Sequence, residues 1–144
     1  MVDGKKVLVS DIDDHQEAFG VAFNSGDVDA VNAMYVDDAV SVWDPGNPHY
    51  GEDRREYVTN FLNTRKPTVD AQVLQQLVVG DIAMLVVDWQ MEALDENGEQ
   101  EHLEGTAIDV LRKGDDGCWR YVVDNPFGVS GPWTADDETE AADG

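Results

Sequence analysis

Basic residues are scarce in this sequence. Nine Lys and Arg face 31 Asp and Glu, a formal net charge of −22 over 144 residues. The only lysines are Lys5, Lys6, Lys66 and Lys113. No basic stripe exists to neutralise phosphates, so nucleic acid is excluded as a partner. Anionic membrane surfaces are excluded for the same reason. Cysteine is nearly absent: Cys118 stands alone, so no intrachain disulfide and no thiolate metal cluster can form. Within Gly117-Cys118-Trp119 it reads as a small packing residue. The three histidines, His15, His49 and His102, share no metal-binding spacing. The turn at Asp95-Glu96-Asn97-Gly98 fails the calcium-loop pattern, because Ala93 stands where the first acidic ligand belongs. There is no Gly-rich phosphate loop and no nucleophile elbow. No apolar run approaches the ~20 residues of a membrane span. Residues 1–10 lack the apolar core and cleavage site of a secretory leader, so a cytoplasmic chain without metal or cofactor is expected.

What is present fits one domain with one core: 144 residues, 42% of them apolar. Helical spacing comes first. Ser10 and Asp13 suggest a capping box, followed by Ile12, Phe19, Ala22 and Phe23 at helical intervals. Asn24-Ser25-Gly26 ends that helix, and Asp27 caps a short second one with Val28, Val31, Met34 and Tyr35 on one face. Residues 39–43 alternate as a strand, stopped by Asp44-Pro45-Gly46-Asn47-Pro48. A third helix over residues 52–64 buries Tyr57, Val58, Phe61 and Leu62, and Lys66-Pro67 stops it. Four strands follow at residues 69–79, 82–93, 101–112 and 119–129, with Asn97-Gly98 as a hairpin signal. Three helices followed by an antiparallel meander make an α+β fold. The domain is expected over residues 11–131, between a flexible segment at 1–10 and an acidic, disordered tail at 132–144.

These landmarks resemble the SnoaL-like or ketosteroid-isomerase-like branch of the NTF2-like superfamily. The run from Ala18 through Phe23-Asn24 and Gly26-Asp27-Val28-Asp29-Ala30 to Met34-Tyr35-Val36-Asp37-Asp38-Ala39-Val40 is similar to the family's opening helix pair and first strand. Gly51, Tyr57-Val58 and Phe61-Leu62 resemble its third helix, and residues 117–128 its last strand. The resemblance implies a conical half-barrel, with three N-terminal helices packed on a curved, mainly antiparallel sheet. It also implies an apolar pocket between the two, and frequent dimers. In residues 82–93, Ala83, Leu85, Val87, Trp89 and Met91 form an apolar set that should face the concave side. The opposite set, from Ile82 to Glu92, is apolar at one end only, which suits a homodimer interface on the outer face.

Ketosteroid isomerases need a carboxylate base and an oxyanion hole built from a tyrosine and a neutral carboxylic acid. The resemblance puts Trp43 at the base position, with Asp44 one residue late; a bulge could return Asp44 to the pocket. Phe19 occupies the tyrosine position and cannot donate a hydrogen bond. Ile108-Asp109-Val110 matches the strand carrying the neutral acid. Steroid isomerisation is therefore not expected. Asp109, flanked on its strand face by Ala107 and Leu111, is the central catalytic candidate, with Asp44 and Asp124 assisting. The alternative for Asp109 is a solvent-facing side chain. Asp124 and Asn125 alternate faces, so only one can enter the pocket. Phe19, Tyr35, Trp43, His49, Trp89 and Asn125 are the candidate ligand-binding residues.

Three functions compete: cofactor-free acid–base catalysis on a small apolar carbonyl compound (isomerase, cyclase or dehydratase type), binding of a hydrophobic ligand, and dimerisation. The charge itself makes a prediction. The tail at 134–144 holds 5 of the 31 acids, so most of the charge lies on the domain. Self-repulsion on that scale opposes compaction in dilute buffer, and molar salt, with a Debye length of ~3 Å, removes it. Far-UV circular dichroism should show secondary structure gained between dilute buffer and molar KCl. A spectrum independent of salt would remove the case for salt adaptation.

Overall fold

The computed structural model describes residues 8–128. Three helices, α1 (His15–Ser25), α2 (Val28–Ala33) and α3 (Gly51–Arg65), pack on a six-stranded sheet. Its strands are β1 (Tyr35–Asp44), β2 (Asn47–Tyr50), β3 (Thr68–Val79), β4 (Ile82–Leu94), β5 (Gln100–Lys113) and β6 (Trp119–Asn125), in the order β2-β1-β6-β5-β4-β3. All neighbours are antiparallel except β1 and β6. This is the α+β arrangement read from the sequence. The acidic segment at 132–144 and residues 1–7 lie outside the described residues. Packing reaches back to Leu8, which touches the core, and to Val9, whose carbonyl accepts from the Trp119 N–H at 2.9 Å.

Local details depart from the sequence reading in four places. Asp11 caps the first turn in place of Ser10: its Oδ1 accepts from the Asp13 N–H at 3.0 Å, and a 3₁₀ turn (Ile12–Asp14) precedes α1. Tyr35 belongs to β1, four residues before the expected strand start. Asp37 and Asp38 are tolerated there because both are exposed. The segment after Asp44 forms β2, with Pro48 on an edge strand where a missing N–H costs little. The last strand ends at Asn125, with residues 126–128 in a turn.

Helix ends follow the sequence signals. Gly26 takes a left-handed φ of 74°, which only glycine adopts without strain, and the Asp27 side chain accepts from the Ala30 N–H. Asn24 then pins α1 to the sheet edge: its amide donates to the Val69 carbonyl at 3.0 Å and its oxygen accepts from the Val69 N–H at 2.7 Å.

Ala83, Leu85, Val87 and Trp89 of β4 are buried under the helices, as their alternation predicts. The convex face keeps Leu77, Val79 and Ile82 exposed. Gly105, paired with Trp89, leaves room for the indole: a Cβ there would stand 3.0 Å from its ring and 3.1 Å from the Pro126 carbonyl. The indole Nε1 donates to that carbonyl at 2.6 Å.

His15 is the unusual core residue. It is fully buried, meets the Tyr121 ring edge-on at 4.7 Å, and has no hydrogen-bond partner on either ring nitrogen among the described residues. Burial lowers its pKa to about 4 from 6.5. Folding therefore opposes its protonation: the stability it permits is full above pH 6.5 and is lost as pH falls toward 4, by roughly 3 kcal/mol. His15→Leu should remove that loss. Urea denaturation in molar KCl at pH 7 and pH 4.5 measures it as the difference between variant and parent. Parallel losses in both proteins would contradict the assignment.

Candidate functional site

A cavity of about 590 Å³ lies between the sheet's concave face and the helices. Its walls hold eight of the chain's twelve Phe, Trp and Tyr residues: Phe19, Phe23, Trp43, Tyr57, Phe61, Trp89, Tyr121 and Phe127. Trp43 sits between Phe23 and Phe61, edge-on to both at 5.7 and 5.1 Å. Trp89 meets Phe127 edge-on at 5.5 Å. The cavity is thus apolar over most of its surface, the setting in which an isolated polar group is strongly perturbed.

Two buried carboxyls break that surface. Asp109 on β5 and Asp124 on β6 are directly paired across the strands, both buried and both on the cavity wall. Two unit charges ~4 Å apart repel by about 4 kcal/mol at an effective dielectric of 20, so such a pair resists double ionisation. Their surroundings decide which keeps the proton. Asp124 Oδ2 accepts from the Tyr35 hydroxyl at 2.5 Å and from Trp43 Nε1 at 2.7 Å. Behind Tyr35, the Arg54 guanidinium lies 4.1 Å over the phenol ring, and its Nη1 donates to Asn32 Oδ1 at 3.1 Å. Asp109 has one backbone donor, the Asn125 N–H at 3.0 Å. Burial, then the neighbouring Asp124 charge, pushes Asp109 well above the usual carboxylate range. Burial raises Asp124 too, but the bonds from Tyr35, Trp43 and Asp109 and the Arg54 charge pull it back. Both carboxyls are thus raised, Asp109 further, so the pair resists double ionisation and Asp109 is the readier of the two to hold a proton.

Tyr121 completes this part of the wall. It is buried, packs edge-on to Phe19 at 5.3 Å, and meets Tyr35 at 5.0 Å. Burial first, then the neighbouring Asp109 and Asp124 carboxyls, drives its phenol well above its ordinary value. Its hydroxyl is therefore a neutral donor.

Of the residues picked out from sequence, Asp109, Asp124, Asp44, Phe19, Trp43 and Trp89 all lie on the wall. Asp44 is half-buried, and its Oδ2 accepts from the Asn47 amide at 3.1 Å. The β1–β2 register shifts between Ser41 and Asp44, and both Trp43 and Asp44 reach the cavity. Three residues are elsewhere. Tyr35 lies behind the wall, buried, as a donor to Asp124. His49 stacks outside on Tyr57 at 4.3 Å and bonds Asp53 Oδ2 at 2.6 Å. Asn125 pairs with Ile108, on the strand face opposite Asp109 and Asp124, and its amide donates to the Gly128 carbonyl at 3.4 Å.

The sequence reading missed Tyr121 and Arg54. Simple alternation puts Tyr121 and Asp124 on opposite faces. A register shift between Val110 and Leu111 pairs Leu111 with Tyr121, which leaves Val122 as the extra residue and turns both side chains inward. Arg54 sits in a helix face that reads as polar, and only its 1% exposure reveals it as core.

A family model described as a SnoaL-like domain matches residues 16–122. No curated protein sequence matches the chain. Among solved structures, a conserved protein from Planctomyces limnophilus aligns with a TM-score of 0.72 at 17% identity, covering 81% of this chain and 91% of that one. A ketosteroid isomerase-like protein from Erwinia carotovora atroseptica gives 0.68 at 20%, covering 76% and 87%. A hexachlorocyclohexane dehydrochlorinase gives 0.67 at 15%, covering 79% and 80%. At these identities the likeness is one of fold.

Proposed function

From the premise that this chain belongs to the SnoaL-like domain family, we propose that its cavity carries out cofactor-free acid–base catalysis on a small apolar carbonyl compound, of isomerase, cyclase or dehydratase type. The observation that carries the reading is the buried cross-strand carboxyl pair on the cavity wall, with unequal donors: Tyr35 and Trp43 bond Asp124, while Asp109 has one backbone N–H. Environments that push two carboxyls apart supply an acid and a base at one pH.

In an isomerisation, Asp124 takes the proton from the carbon next to the carbonyl, and the bonding pair moves into the carbonyl to form an enol. Asp109 gives its proton to the oxygen. The pair has then exchanged its proton and charge. Where the substrate carries a second C=C next to that carbon, the enol is a dienol: the oxygen proton returns to Asp109, Asp124 delivers its proton to the far alkene carbon, the double bond moves into conjugation, and the pair is restored. Tyr35 and Trp43 orient Asp124, and Asp44, nearer solvent, assists proton exchange at the opening. Rate falls on the acid side as Asp124 is protonated and on the alkaline side as Asp109 ionises, a bell whose limits belong to the pair. Similarity to a dehydrochlorinase and a ketosteroid isomerase-like protein supports this reading only as fold-level analogy.

The test is deuterium exchange of α-protons in a panel of small cyclic ketones, followed by NMR in molar KCl. The parent should accelerate exchange for at least one ketone, and Asp109→Asn and Asp124→Asn should each lower the rate at least about 100-fold with the fold retained. An unchanged rate in either variant removes that residue's role. No acceleration for any ketone would favour a non-catalytic hydrophobic-ligand binder.

A role in association is favoured by one observation, the exposed Leu77, Val79 and Ile82 on the convex sheet face. We take the occupant to be a second copy, forming a homodimer in a salt-rich cytoplasm. Light scattering in molar KCl should give twice the chain mass, and Leu77→Glu with Ile82→Glu should return it to one. A monomeric parent would end this proposal.

A further inference from the structure

The cavity wall is more acidic than proton transfer requires. Besides Asp109 and Asp124 it carries Asp44, Asp95, Glu96 and Glu101, against one basic residue, Arg65. These four lie where the wall meets solvent: Glu96 is exposed and the other three half-buried. Arg65 is already committed. Its Nη2 donates to Glu101 Oε1 at 2.6 Å, its Nε bonds the Leu94 carbonyl, and its guanidinium lies 5.0 Å over the Phe61 ring. Asp95 Oδ1 accepts from the Asn97 and Glu99 N–H groups at 2.8 and 2.9 Å, and Asp44 from the Asn47 amide. Those donors are neutral. No basic side chain among the described residues forms an ion pair with Asp44, Asp95 or Glu96.

The lining of the cavity points to a ligand that answers this charge. Eight of its 24 residues are aromatic, and ring faces attract cations, more strongly where water is excluded. We infer that the cavity takes a ligand with an apolar ring and a cationic nitrogen, and turns away carboxylates and phosphates. The ring packs among Phe19, Phe23, Trp43 and Trp89. The ammonium lies at the rim, facing Asp44, Glu96 and the Tyr57 ring. This inference rests on the cavity being the ligand site, and it narrows the proposed carbonyl substrate to neutral or amine-bearing compounds.

Benzylammonium, benzyl alcohol and benzoate share a size and differ in charge. Each is titrated into the full chain in molar KCl at pH 7, and the indole N–H signals of Trp43 and Trp89 report occupancy by NMR. Benzylammonium should bind at least about tenfold tighter than benzoate, or ~1.4 kcal/mol, with benzyl alcohol between. Glu96→Gln with Glu101→Gln removes a rim charge and frees Arg65, so the ratio should narrow to within about threefold. Glu96→Gln alone should narrow it partway. Asp70→Asn with Asp88→Asn on the convex face should leave it unchanged. Equal affinities, no binding by any probe, or equal narrowing by the convex-face pair would overturn the inference. Equal affinities would leave the acid–base reading standing, because ketone exchange tests that separately.

Discussion

A pair of carboxyls buried side by side on an aromatic-lined cavity wall organises this molecule. Burying a carboxylate is costly unless donors surround it. Asp124 finds them in Tyr35, Trp43 and its neighbour Asp109, with the Arg54 guanidinium behind the Tyr35 ring. Those residues come from β1, β5 and α3, so the elements that close the fold are the ones that satisfy the charge. Buried charge networks break hard: loss of one partner typically costs about 3–5 kcal/mol. Site and core are therefore not separable here, and Tyr35 and Arg54 serve both.

The device that assembles the site is a pair of strand irregularities. Regular strands alternate faces, so neighbours in sequence cannot both reach a cavity. The β1 irregularity lets Trp43 and Asp44 share the wall, and the β6 bulge lets Tyr121 and Asp124 do so. Each adds a polar group to a wall that alternation alone would leave with fewer. Bulges also bend and twist a strand, which helps the sheet curve around the helices. The same local defect thus supplies curvature and a polar group on the cavity wall.

This explains what could be read in advance and what could not. Periodicity and turn chemistry are local, so α1 to α3, the four-strand meander and the inward set from Ala83 to Trp89 were legible. Asp109 was legible because Ala107 and Leu111 flank it on one face. The bulges are set by tertiary packing, so Tyr121 was invisible, and Asp44 was placed only conditionally. Tyr35, His49 and Asn125 were misplaced for related reasons. Tyr35 has the helical spacing of α2 but is claimed by β1. His49 lies on an edge strand and finds a better partner in Tyr57 than in the cavity. Asn125 follows strict alternation, which sends it to the outer face once Asp124 is inward. Arg54 shows the general limit: nothing in a charged helix position announces that a ring and an amide wait for it.

The chain's charge acts on two scales that salt separates. On the surface, molar salt reduces the Debye length to ~3 Å, so most of the −22 becomes a short-range property of hydrated carboxylates. Partly buried charges are screened far less. Asp44, Asp95 and Glu101 are half-buried beside aromatic rings, and Asp124 is deeper still. In a salt-rich solvent the field that an approaching molecule feels is therefore no longer that of the whole protein. The cavity and its rim, with their partly buried carboxylates, contribute a larger share of it. A composition that swamps local signals at low salt leaves, in brine, the acidic cavity rim as a feature that a ligand can still distinguish.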